Sequence, residues 1–261
     1  MTTSIVFDRA AGFYDKTRAL GTEQAEALTN AIMALGGLDA GARLLEVGVG
    51  TGRIAVPLMQ RHVHLIGIDL SWRMLAVAQT KRPAAMLVQG DAVRLPLPDG
   101  CLDVVLMVHV LHLIAAWEDA LHEVQRVLRP AGRLLIVREQ RDENHPVTRL
   151  QQRYTAATAT MGIPTSRIGS RDQQALESFW HDHGWRHETK EVMAWSEDES
   201  PQVWLDGLRQ RHWSSSWQID DLALDTLVSE LSAWGASEFG ELNQPAPYDH
   251  HLMVDVVFPH S

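Results

Sequence analysis

Leu44-Leu45-Glu46-Val47-Gly48-Val49-Gly50-Thr51-Gly52-Arg53, residues 44–53, reads as a short buried strand running into a glycine turn, with a helix starting near Ile54. Glycines adopt positive φ and let a ligand approach the backbone closely, and the helix that follows presents the positive end of its dipole. In an open parallel sheet the ligand crevice lies at the carboxyl ends of the strands, where this turn falls. The turn therefore suits a nucleotide-like ligand. Its glycines stand at 48, 50 and 52, which is not the G-x-G-x-x-G spacing of dinucleotide sites. Glu46, two residues ahead of the first glycine, would repel a pyrophosphate but suits a ligand carrying an ammonium and a sulfonium.

Working outward, residues 23–37 carry Ala25, Leu28, Ile32 and Leu35 at helical spacing, with Thr22 as the expected N-cap and a glycine pair as the stop. Downstream, 64–69 reads as a strand, 71–81 as a helix, 85–89 as a strand and 102–108 as a nearly continuous apolar strand. A helix after Trp117 has Ala120, Val124 and Val127 on one face; Arg129-Pro130-Ala131-Gly132 ends it, and 133–137 is again a strand. This alternation predicts an α/β chain with a parallel sheet covered on both faces.

Past about residue 140 the rhythm changes. Two long helical stretches, about 145–161 and 201–239, read as insertions. Between them lie a helix at about 171–183, with Ser170 and Gln173 spaced as a capping box, and a strand at 187–195. Residues 252–258 suit a last strand. The expected division is an amino-terminal helical cap over 1–40, a cofactor-binding core over 41–140, and a remainder, 141–261, that completes the sheet and carries helical lid insertions at about 145–168 and 200–240.

With 261 residues, 45% hydrophobic and 21% charged, the chain has the composition of an ordinary globular protein of one or two domains. Its net charge of −10 argues against a duplex nucleic acid or an anionic membrane as partner. A single cysteine, Cys101, excludes an internal disulfide and a cysteine-based metal cluster, and reads as a small buried hydrophobe. The scattered histidines, His250-His251 included, show no metal-ligand spacing, so no metal is expected. The start MTTSIVFDRA lacks a basic segment followed by an apolar run, and 104–117 is too short to span a bilayer, so a cytoplasmic protein is expected.

The E-x-G-x-G-T-G pattern at 46–52 resembles the first motif of class I S-adenosylmethionine-dependent methyltransferases, in particular the small-molecule branch that includes ubiquinone and menaquinone methyltransferases. Further motifs follow in the family's order. Asp69, in Gly67-Ile68-Asp69-Leu70-Ser71, matches the acidic residue that accepts both ribose hydroxyls, and a carboxylate has the lone pairs for two such bonds. Leu70 and Met74 match apolar positions beside the nucleoside, and Gly90-Asp91-Ala92 matches the adenine-contacting segment. Leu95-Pro96-Leu97-Pro98-Asp99-Gly100 and Val124–Gly132 resemble the approaches to the fourth and fifth strands, with Ala131 where the family more often has Gly. Phe7-Asp8-Arg9-Ala10-Ala11-Gly12-Phe13-Tyr14-Asp15 resembles the leading segment whose Tyr closes over the cofactor. The resemblance is good over about residues 7–140 and weak beyond.

It implies a doubly wound, mostly parallel, seven-stranded Rossmann-like sheet that binds S-adenosylmethionine and releases S-adenosylhomocysteine. The implied cofactor contacts are Tyr14, Glu46, Gly48, Gly50, Asp69, Leu70, Met74, Asp91, Ala92 and Val108. A methyl on a sulfonium is already activated, so the acceptor needs chiefly alignment, and an acceptor that loses a proton needs a base near neutral pKa. His109 and His112, leaving the fourth strand at its carboxyl end, are the candidates; His109 suits a base or acceptor-orienting group, and His112 a pocket wall. Trp195, Trp204, Trp213, Trp217 and Trp234 either seal the insertion or line an acceptor cavity. The expected acceptor is a small molecule and the expected assembly a monomer or homodimer. Transfer to RNA or protein, a non-catalytic S-adenosylmethionine-binding module and a dehydrogenase remain as alternatives.

Overall fold

The structure is a computed structural model that describes residues 5–18, 20–162, 169 and 173–259. Its chain order is α1 (Tyr14–Thr17), α2 (Thr22–Gly36), β1 (Arg43–Val47), α3 (Ala55–Met59), β2 (His64–Asp69), α4 (Trp72–Lys81), β3 (Met86–Gln89), β4 (Leu102–Val108), α5 (Trp117–Val127), β5 (Leu128–Arg141), α6 (Pro146–Thr160), α7 (Gln173–Asp182), β6 (Arg186–Glu199), α8 (Pro201–Arg209), α9 (Asp221–Phe239) and β7 (Ala246–Phe258). One seven-stranded sheet runs β3-β2-β1-β4-β5-β7-β6. The pairings of β1 with β2 and β4, of β2 with β3 and of β4 with β5 are parallel, and one antiparallel hairpin makes the sheet mixed. The expected doubly wound α/β sheet is therefore present. Strand order reverses between β1 and β4, the topological switch point at which such sheets bind ligands.

The chain divides into two compact units, residues 1–138, 169–193 and 252–261 in the first and residues 139–168 and 194–251 in the second. In the first, Leu45, Val47, Val105, Met107, Leu134 and Ile136 on the strands meet Ala120, Leu121, Val124 and Val127, the apolar face of α5. Trp180 and Trp185 close this core, and Cys101 packs partly buried against it. Each fully buried Leu, Ile or Val stabilises the fold by about 1.5–3 kcal/mol. The second unit has a core of its own, built from Val147, Leu150 and Tyr154 of α6, Trp204, Leu205 and Leu208 of α8, and Leu224, Leu227, Val228 and Leu231 of α9.

Local chemistry sets the element ends. Ser71 caps α4 by accepting from the Met74 N–H at 3.1 Å, and Asp220 caps α9 by accepting from the Ala223 N–H at 2.9 Å. Ser200 and His145 cap α8 and α6, each ahead of a proline in the first helical turn. At α2 the N-cap is Gly21, one residue before the expected Thr22, because the Gln24 side chain reaches back to the Gly21 N–H at 2.7 Å.

Four other elements differ from the sequence reading. The helix expected over 201–239 is two helices, α8 and α9. Between them Arg211 takes φ +57 and Trp213 packs so tightly on Gly207 that a Cβ there would lie 2.2 Å from its ring. Strand β5 starts at Leu128, because Arg129-Pro130-Ala131-Gly132 runs extended beside a register shift rather than as a separate turn. Strands β6 and β7 extend beyond the expected 187–195 and 252–258. The expected capping box at Ser170 and Gln173 lies outside the described residues on its Ser170 side.

Candidate functional site

Strand β1 delivers the glycine turn, and its N–H groups at Gly48 and Val49 donate to the Ile68 carbonyl of β2 at 2.8 and 3.0 Å. Gly48, Gly50 and Gly52 take φ of +72, +55 and +76. At Gly48 the missing side chain is also a packing requirement, since a Cβ would lie 2.4 Å from Cγ2 of Val110 in the segment after β4. The two loops flanking the switch point thus close on each other at Gly48 and Val110.

Asp69 ends β2 with its carboxylate fixed from two sides. Oδ2 accepts the Gly50 N–H at 2.8 Å and Oδ1 the Ser71 N–H at 2.8 Å. Each oxygen keeps a second lone pair for an outside donor. Burial pushes its pKa up, against the two backbone bonds, and the neighbouring Asp8 adds to the rise.

A cleft opens here, lined from β1 and its turn by Val47, Gly48 and Gly50, from β2 and α4 by Ile68, Asp69, Leu70 and Met74, and from the segment after β3 by Gly90, Asp91 and Ala92. Val108, His109, Val110, Leu113 and Ile114 line its β4 side, and Ile5, Phe7 and Tyr14 its amino-terminal side. Ten of the twelve candidate residues, Tyr14, Gly48, Gly50, Asp69, Leu70, Met74, Asp91, Ala92, Val108 and His109, thus come together in one cleft. Ile5, Leu113 and Ile114 were missed, because no spacing rule connects them to the glycine turn, and Phe7 was read only as part of the leading segment that carries Tyr14.

Glu46 does not line the cleft. It is 2% exposed on β1, and its Oε2 is buried without a hydrogen-bond partner. Burial raises its pKa to about 8, against the pull of Arg53 and with a further push from Asp69. His112 also lies off the lining, in a 3-10 turn over Leu111–Leu113, where its carbonyl accepts from the Gly169 N–H at 3.0 Å. His109 is the strained residue of the set, with φ +51 and its N–H on the Val137 carbonyl at 3.2 Å. Such backbone costs of order 1–3 kcal/mol and collects at functional sites. Asp91 accepts the Val93 N–H through Oδ1 at 3.2 Å, which fixes its side chain against its own turn.

Polar contacts tie the amino-terminal segment to the same elements. Ser71 donates through Oγ to Asp8, Thr51 donates to Asp15 Oδ1 at 2.6 Å, and Lys81 pairs with Asp15 at 2.7 Å. Burial opposes ionisation of Asp15, but the bonds from Lys81 and Thr51 outweigh it and hold its carboxyl below the usual range. Arg53 donates to the Arg18 carbonyl at 2.8 Å, and Phe7 meets Tyr14 edge-on at 6.1 Å between ring centres.

In the second unit, Trp204 is buried and Trp213 and Trp234 pack half-buried against that unit's own core. Trp195 stacks on His250 at 5.0 Å, and Trp217 donates to the Arg211 carbonyl at 2.9 Å. Among the described residues no group of three or more His, Cys, Asp or Glu is arranged to hold a metal, and no helix is long and apolar enough to cross a membrane.

The site's residues fit S-adenosylmethionine. Asp69 presents a fixed carboxylate for two hydroxyls, Gly48 and Gly50 leave backbone bare, and the unpartnered Glu46 Oε2 behind the turn matches a ligand that brings a cation. Comparison with known proteins agrees. Residues 45–136 match the family described as methyltransferase domain. An uncharacterized methyltransferase of Mycobacterium tuberculosis is 34% identical over 143 residues, 54% of this chain and 54% of that protein. The demethylmenaquinone methyltransferase of Thermus thermophilus is 38% identical over 101 residues, 36% of this chain and 46% of its own. The chain thus spans about half the length of the curated relatives it matches. A crystal structure of a methyltransferase-like protein from Bacillus halodurans aligns over 89% of this chain and 99% of its own with a TM-score of 0.63; at 17% identity it shows a shared fold. Residues 45–136 are thus similar to the methyltransferase domain family, and the sheet around them has the Rossmann-like fold of the aligned structure.

Proposed function

We propose that this chain is an S-adenosylmethionine-dependent methyltransferase that acts on a small molecule. The observation that carries the reading is the Asp69 carboxylate, held open by the Gly50 and Ser71 N–H groups at the switch point of the sheet. In this assignment Asp69 takes the ribose hydroxyls, Leu70, Met74 and Ala92 flank the adenine, and Asp91 accepts from its amino group. Tyr14 and Phe7 cover the nucleoside, and Glu46 balances the ammonium from behind the turn. When bound, the cofactor supplies a methyl group on a sulfonium, which leaves with the electron pair of its bond returning to sulfur.

Among the described residues, His109 is the one imidazole on the cleft lining. In its neutral form it accepts a proton or a hydrogen bond from a protic acceptor. Val108 and Val110 beside it are apolar. We assign His112 no part in the chemistry.

Support for a small acceptor comes from the net charge of −10 and from the named quinone methyltransferase among the relatives. Incubation of the protein with methyl-labelled S-adenosylmethionine and a size-fractionated cell extract tests it. Label in the low-mass fraction supports the reading, and label carried by protein or RNA overturns the choice of acceptor. We propose a cytoplasmic location, in keeping with the single cysteine of the sequence.

A further inference from the structure

The first unit brings two imidazoles together edge-on, and neither lines the cleft. His122, on the exposed side of α5, and His183, just past α7, place their Nε2 atoms 3.2 Å apart. Nδ1 of His183 lies 2.7 Å from the Phe179 carbonyl oxygen, which only accepts, so Nδ1 carries the proton and a neutral His183 presents a lone pair at Nε2. The ring also stacks on Phe179 with 4.0 Å between centres, and His122 meets the same ring at 5.4 Å. Both side chains are therefore oriented before any ligand arrives.

We propose that His122 and His183 form a binding site for a divalent transition-metal ion of the imidazole-preferring kind, Zn²⁺ or Cu²⁺, with its remaining positions open to water. Two nitrogens each about 2.0–2.1 Å from a tetrahedral Zn²⁺ lie roughly 3.3–3.4 Å apart, close to the separation already present. The bond from His183 Nδ1 to a backbone carbonyl is the outer contact that metal-ligating histidines use to fix tautomer and ring plane. Without metal, one Nε2–H is shared between the rings. With metal, each Nε2 gives its lone pair to the ion and each imidazole keeps its single proton on Nδ1, so no proton is lost. Oxygen-preferring Mg²⁺ and Ca²⁺ are not expected to bind.

The site stands apart from the proposed transfer reaction and is tested without it. Zinc chloride is titrated calorimetrically into the full chain and into His122→Ala, His122→Gln, His183→Ala and His181→Ala, with magnesium as the control ion and circular dichroism confirming that each variant is folded. The expected result is one zinc site that weakens by at least about tenfold in the His122 and His183 variants. It survives His181→Ala, whose ring is bonded instead to the neighbouring Asp182. Identical zinc isotherms for the unaltered chain and both His122 variants, or magnesium binding of equal strength, would overturn the proposal.

Discussion

The backbone N–H of Gly50 donates to Oδ2 of Asp69 across 2.8 Å, tying the turn after β1 to the end of β2. Ser71 holds the other oxygen of the same carboxylate at 2.8 Å. The glycine turn and the acidic residue, nineteen positions apart in sequence, are therefore one structural unit, and altering either disturbs both.

Asp69→Ala is expected to weaken S-adenosylmethionine binding by about 1.5–3 kcal/mol, the worth of a hydrogen bond to a charged group, and to loosen the turn. Calorimetry reads the first effect and thermal unfolding the second. Unchanged affinity would remove Asp69 from the cofactor site.

Gly48→Ala and Gly50→Ala separate backbone strain from crowding. Both residues have positive φ, but only at Gly48 does a new Cβ meet a side chain, Val110, at 2.4 Å. Gly48→Ala should therefore lose about 1–3 kcal/mol more stability than Gly50→Ala, and Gly48→Ala with Val110→Ala should recover part of it. Equal melting temperatures for the two glycine variants would show that the close approach carries no weight.

The proposed place of Glu46 behind the turn would couple its proton to the cofactor. Its pKa stands at about 8 in the fold against 4.5 for a free side chain, so the folded chain holds a proton there that the unfolded chain releases. Stability should fall as pH rises between those values, and Glu46→Gln should gain on the parent protein over the same interval, read as a growing difference in melting temperature. A cation arriving beside Glu46 lowers its pKa, so cofactor binding at pH 7 should release a proton. Calorimetry in buffers of different ionisation enthalpy measures that release, and its absence would separate Glu46 from the ligand.

His109 makes a different demand, because its φ is +51. His109→Asn keeps a residue type that tolerates this backbone and removes the imidazole, whereas His109→Ala changes both. On the true acceptor, both variants should lower turnover with donor affinity nearly intact, and His109→Ala should also be less stable. Unchanged turnover in His109→Asn would make the side chain a wall.

Strand β1, the glycine turn and Asp69 were legible in the sequence because each is a local pattern: an apolar run, glycines at fixed spacing and an acid after the next strand. The break between α8 and α9 was not, because it depends on Trp213 folding back onto Gly207, a tertiary contact that leaves no mark on helical periodicity. The facing of His109 and His112 also stayed open in sequence. Strand alternation stops at Val108, and the left-handed turn at His109 followed by a 3-10 turn decides which ring reaches the cleft. Glu46 was legible as a carboxylate beside the turn, but its burial, and hence its proton, is set by packing around β1.

Side-by-side calorimetric titration of the full chain with S-adenosylmethionine, S-adenosylhomocysteine and NAD tests the central claim most directly, since it needs no knowledge of the acceptor. The first two should bind at micromolar strength, more weakly in Asp69→Ala, and NAD should not bind. Binding of NAD alone, or no heat with either sulfur ligand, would contradict that claim.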